Sequence, residues 1–158
     1  MKYKITLSLI LIFSIISLVS AYFIQYVLEH QPCNLCLLER IPYISVIIIV
    51  SLYLYFKKFE RFTLIALSSI FFIATLLSFY HFGIEQGFIE ESLVCNLNSE
   101  GKAFTTEELL KELNEKPISC RDVTFSILGI SLATINTIIS LILSVITLKA
   151  FLNYEKNK

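Results

Sequence analysis

The run from Leu35 to Phe56, LCLLERIPYISVIIIVSLYLYF, decides what kind of protein this is. It is built from Leu, Ile, Val, Tyr and Phe, and its two charges, Glu39 and Arg40, both lie near its start. At about 1.5 Å per residue, such a run crosses the ~30 Å hydrocarbon core of a bilayer as one helix. Helix is also the structure that satisfies its own backbone in lipid without closing into a barrel. Pro42 falls near the start, where a missing amide donor costs least.

Three more blocks of the same kind flank it, over about Ile5–Leu28, Phe62–Phe82 and Val123–Leu148, none charged in its central part. The chain has 158 residues, 56% of them hydrophobic, with four glycines and three prolines. Its mean hydropathy is +0.74. The apolar residues arrive in blocks rather than with amphipathic spacing, and too few residues remain between blocks for a soluble domain. The pattern predicts an all-α membrane protein: one domain over residues 1–158, a four-transmembrane-helix bundle with a long outer loop over about 83–122. Ser and Thr in the fourth block, and Asn136 at mid-membrane, read as helix–helix contacts. Gly83 and Gly87 form a GxxxG that implies close packing. The first block begins after Lys2 and Lys4 and contains Val19-Ser20-Ala21, which resembles a signal-peptide cleavage site. Its apolar run is longer than a signal core, so it reads as an uncleaved anchor. The formal net charge is zero, which gives nucleic-acid binding no electrostatic support.

Charge sets the orientation. The amino terminus, the Lys57–Arg61 turn and the tail after Leu148 carry eight basic and two acidic residues; the opposite side carries five basic and eleven acidic. The positive-inside rule then places both termini in the cytoplasm. All four cysteines, Cys33, Cys36, Cys95 and Cys120, fall on the other side, in the compartment where disulfides persist.

The outer loop has its own pattern. Thr105 and Glu108 fit a capping box, and Leu109, Leu110 and Leu113 share a face. A short amphipathic helix follows, lying on the membrane surface or folded onto the loop's own apolar side chains. Lys116-Pro117 ends it.

The chemistry centres on Cys33-Asn34-Leu35-Cys36, a CxxC opening the second membrane helix. Two thiols at this spacing close a small disulfide ring, and a helix amino terminus favours the thiolate. Arg40 lies one turn beyond Cys36. There it stabilises a thiolate or a negative charge on an acceptor oxygen, or else snorkels to headgroups. Cys95 and Cys120 bracket the loop. As a static disulfide they would add ~3–4 kcal/mol, but beside a CxxC they read as a second redox station. A Cys₄ zinc site usually draws on two close-spaced pairs, which Cys95 and Cys120 do not form, so no metal is expected. His81 ends the third block at the depth where a lipid-soluble ring would dock; the residue alone reads equally as interfacial.

Gln31-Pro32-Cys33-Asn34-Leu35-Cys36-Leu37-Leu38-Glu39-Arg40 resembles the Pro-Cys-x-x-Cys-x-x-Glu-Arg signature of the DsbB-type thiol:quinone oxidoreductases. Tyr80-His81-x-Gly83-x-Glu85 resembles that family's motif at the end of the third helix. Cys120-Arg121-Asp122 and Leu128-Gly129-Ile130-Ser131 resemble its run into the fourth. The resemblance covers nearly the whole chain in order, and the ordered set is more specific than any one motif. The outer loop differs in length and sequence from the best-known members.

The resemblance implies an enzyme of the bacterial inner membrane that reoxidises a DsbA-like periplasmic thiol oxidase and passes the electrons to ubiquinone or menaquinone. It implies that the partner's thiolate attacks Cys95 to form a mixed disulfide. Cys120 would resolve it and exchange with Cys33, and Cys36, beside Arg40, would deliver electrons to a quinone flanked by Arg40 and His81. Two other readings are weaker. In a vitamin-K-epoxide-reductase-like protein the CxxC follows the loop pair, whereas here it precedes it. A non-enzymatic tetraspan with structural disulfides has no need of Arg40 beside the CxxC.

Overall fold

The computed structural model describes residues 3–91, 95, 119–121, 126–127 and 129–156. The loop helix expected around Thr105–Glu115 lies outside them. Four spans are long and apolar enough to cross a membrane. They are α1 (Lys4–Tyr26), a second span made of α2 (Asn34–Leu38) and α3 (Arg40–Phe56), α4 (Glu60–Glu85) and α5 (Leu132–Lys156). The expected four-transmembrane-helix bundle is the observed architecture. Its outer surface carries Ile5, Leu9, Ile12, Ile16, Val19 and Phe23 of α1, with similar residues on the other helices. An apolar exterior of that extent is what lipid requires and water does not tolerate.

The second span is not one continuous helix. Pro42 has no N–H for the Leu38 carbonyl and its ring crowds that oxygen. The helix is interrupted at Glu39, and Pro42 falls in the first turn of α3. The fourth span also departs from expectation, beginning at Leu132 rather than near Val123. Ahead of it, β1 (Ser126–Ile127) pairs antiparallel with β2 (Ile130–Ser131), in the register Ser126 to Ser131 and Ile127 to Ile130. Gly129, at φ +82°, makes the turn that a helix would not allow.

One end of the bundle holds the chain start, the α3–α4 turn and the end of α5. There Arg61 pairs with Glu155 at 2.7 Å and Tyr3 packs against Tyr154. The core falls into two clusters. Toward this end, Leu7 and Ile10 of α1, Tyr43, Val46, Val50 and Tyr53 of α3, Leu64, Leu67 and Phe71 of α4, and Ala150 of α5 pack together. Toward the other end, Cys33, Leu35, Ile84, Cys95 and Cys120 form the second.

Helices α4 and α5 pack through small residues, with Ala74 and Ser78 on α4 and Ala133, Ser140, Ser144 and Thr147 on α5 all buried. Most of the α5 hydroxyls do not cross-link helices. Thr137, Ser140 and Thr147 donate to carbonyls four residues back in their own helix. Asn136 is the residue that reaches across. Gly83 and Gly87 serve a turn rather than a helix pair. A Cβ on Gly83 would meet Ile89 Cδ1 at 2.6 Å, and Gly87 has φ +74° with Arg121 Nη2 beside it.

Candidate active site

Cys33 caps α2. Its Sγ accepts the Cys36 N–H at 3.3 Å and lies 2.9 Å from Cys36 Sγ, so the short CxxC turn holds both sulfurs at one helix mouth. Hydrogen bonding from the Cys36 thiol pulls the Cys33 pKa down to about 4. Burial opposes this, while the His81 ring and the Cys36 N–H assist. Cys33 is therefore a thiolate at neutral pH when the pair is reduced.

His81 is 2% exposed, so it is not an interfacial histidine. Its Nε2 lies 3.5 Å from Cys33 Sγ and its Nδ1 lies 2.8 Å from Glu39 Oε1. Glu85, one turn further along α4, approaches Nε2 at 3.9 Å and accepts from Ser131 Oγ at the start of α5. Glu39, at the interruption, keeps a helical backbone and reaches α4 through His81 and α5 through Asn136.

Arg40 and Cys36 line the same cavity, and α1 holds the guanidinium. Arg40 Nη1 donates to Gln25 Oε1 at 2.6 Å, and its guanidinium lies over the Tyr22 ring at 4.9 Å. The cavity, about 390 Å³, lies between α1, the α2–α3 span, α4 and α5. Phe13, Ile16, Leu18, Ile135 and Ile139 give it an apolar wall, and Cys36, Arg40 and His81 are among the polar groups at its other end. Ile16 is 57% exposed, so the cavity reaches the lipid-facing surface.

Cys95 and Cys120 are bonded to each other, with Cα atoms 5.8 Å apart. The pair is buried, Cys95 to 3% and Cys120 to 1%, in the same cluster as Cys33. Asn34, inside the CxxC, donates to the Cys95 carbonyl at 3.4 Å. Glu91 ties the other edge, accepting from the Arg121 N–H at 3.0 Å and from the Ser119 hydroxyl.

All four cysteines, Arg40 and His81 thus meet at one end of the bundle. Sequence reasoning gave no role to Gln25, Tyr22 or Glu39. Gln25 carried a usable signal, a polar side chain in the last turn of an apolar span. Glu39 was visible only as part of a motif.

A family model described as "Disulfide bond formation protein DsbB" matches residues 3–150. An "Uncharacterized protein RP370" of Rickettsia prowazekii (strain Madrid E) is 30% identical over 158 residues, covering 99% of this chain and 91% of that protein. No solved structure matches.

Proposed function

The chain belongs to the DsbB family of disulfide bond formation proteins, and from that premise we propose that it reoxidises a DsbA-like periplasmic thiol oxidase and passes the electrons to a membrane quinone. The observation that carries this reading is the packing of both cysteine pairs in one cluster, Cys33, Cys95 and Cys120 buried and Cys36 half-buried, beside a cavity that Arg40 and His81 line. The excess of basic residues in the amino terminus, the Lys57–Arg61 turn and the tail after Leu148 supports an orientation with cytoplasmic termini and periplasmic cysteines in the bacterial inner membrane.

The partner's thiolate attacks Cys95, releasing Cys120 as a thiolate and forming a mixed disulfide. The partner's second thiolate displaces Cys95, so the partner leaves oxidised and the loop pair is a dithiol. Cys120 then attacks the Cys33–Cys36 disulfide at Cys33, and Cys95 closes on Cys120 to release Cys33. The two electrons now reside on the CxxC, with Cys33 as a thiolate and Cys36 as a thiol. With its pKa near 4, Cys33 leaves readily when a bond to it breaks.

The cavity fits a flat ring carrying two carbonyl oxygens. Its wall is apolar, and the Arg40 guanidinium offers N–H donors that Gln25 and Tyr22 hold in place. A quinone bound there supplies the two-electron, two-proton acceptor the dithiol needs. Arg40 favours negative charge on an oxygen beside it, and His81 offers a ring nitrogen next to Cys33.

The test is anaerobic mixing of the purified protein with a quinone and a reduced thioredoxin-fold partner. Quinone absorbance is expected to fall in step with partner oxidation, one quinone per disulfide. Partner oxidation without quinone reduction, or neither, overturns the proposal.

A further inference from the structure

The disulfide chemistry gives no task to Asn136 of α5. Its side chain is half-buried and lines the cavity, at a depth where an amide without partners is costly. Its Nδ2 donates to Glu39 Oε2 at 2.7 Å and to Ser78 Oγ at 2.7 Å. Its Oδ1 accepts from the Tyr43 hydroxyl at 2.5 Å. These partners come from the α2–α3 break, α4 and α3, so one side chain ties together three other parts of the bundle. They also fix which way the amide points. Turned over, its oxygen would face the acceptor-only carboxylate of Glu39.

The same carboxylate faces His81 with its other oxygen. His81 Nδ1 faces Glu39 Oε1 at 2.8 Å, and Nε2 is the atom turned to Cys33 Sγ at 3.5 Å. Among the described residues, the titratable and charged groups that line the cavity with the ring are His30 ahead of α2, Cys33 and Cys36 at its mouth, Glu39 at the break, Arg40 and Tyr43 of α3, and Glu85 of α4.

We infer that Asn136 is the positioning residue of a thiol–imidazole–carboxylate triad, in which its amide holds Glu39, Glu39 orients His81, and His81 Nε2 exchanges a proton with Cys33 Sγ. In that exchange the Cys33 S–H bond breaks and an N–H bond forms on Nε2, with no change in oxidation state. The imidazolium so formed is paired with Glu39. The inference rests on the reading that Cys33 cycles between disulfide and dithiol.

The test needs neither quinone nor partner. In a Cys95→Ser/Cys120→Ser background, the purified dithiol protein is alkylated with iodoacetamide from pH 3 to pH 9, and Cys33 labelling is read by mass spectrometry. With Asn136 present, the rate is expected to rise through about pH 4 and to stay flat above it, as the lowered Cys33 pKa requires. In Asn136→Leu the midpoint is expected to move up by about one unit, so that labelling near pH 4 slows several-fold. His81→Gln should move it at least as far, and adding Asn136→Leu to His81→Gln should move it no further.

A structural role alone lowers the melting temperature and leaves the midpoint in place, and that result overturns the inference. If Asn136→Leu does not fold, Tyr43→Phe/Ser78→Ala removes two of the amide's partners and should move the midpoint in the same direction. An unchanged midpoint in that variant is equally fatal. Absence of quinone turnover, by contrast, would leave this profile intact and count only against the quinone reading.

Discussion

Gln25 and Tyr22 of α1 hold the guanidinium of Arg40, a residue that also lines the cavity, and from that position it either serves the cavity or snorkels to headgroups. The two roles differ in kinetics. Arg40→Ala removes a charge held beside the acceptor, and an electrostatic stabiliser in a partly dry site is worth about 3 kcal/mol, roughly a hundredfold in turnover. Arg40→Lys keeps the charge but loses the planar fork that Gln25 and Tyr22 grip, so it should fall between. Steady-state turnover against quinone concentration checks this, and an unchanged profile for Arg40→Ala would return the residue to the headgroups. Cys33, Cys36 and Arg40 stood out together because they are closely spaced along one segment, while Cys95 and Cys120 stood out as the cysteines that bracket the outer loop. The seating of His81 was not legible, since it depends on α4 packing against the break at Glu39, residues 42 positions apart in sequence.

At the scale of elements, two glycines with similar backbones separate strain from packing. Gly87 and Gly129 both adopt left-handed φ, and a Cβ on Gly129 meets nothing within 4 Å while one on Gly87 lies 3.2 Å from Arg121 Nη2. Alanine at either should cost about 1–2 kcal/mol for the backbone alone. Gly87→Ala should cost more than Gly129→Ala, and Arg121→Ala should erase the excess. Unfolding midpoints in detergent measure all three, and equal losses at the two glycines would mean that Arg121 does not pack there. The four spans could be read from composition because lipid leaves helix as the answer for a long apolar run. The start of α5 could not. Ser126–Ser131 continues the apolar run that follows, and only the turn at Gly129 shows that its first part pairs as strands.

Across the whole molecule, the two cysteine pairs share one buried cluster yet stand on different parts of the chain, one at a helix mouth and one on the loop. A division of labour follows from that placement. Cys95→Ala is expected to abolish the mixed disulfide with a reduced thioredoxin-fold partner, while Cys33 and Cys36 still react with quinone. Gel shifts under non-reducing conditions read the first, and quinone absorbance the second. A mixed disulfide at normal yield in Cys95→Ala would assign the entry point to another cysteine. The other cluster carries a different consequence. It draws residues from α1, α3, α4 and α5, and not one of them is a cysteine. The helices can therefore find their neighbours during membrane insertion while every thiol is still reduced. A supplier of disulfides faces a bootstrap problem, since the first copy made in a cell cannot count on an earlier copy to oxidise it. Here the scaffold assembles without sulfur, and the sulfur chemistry is added to a frame that already stands.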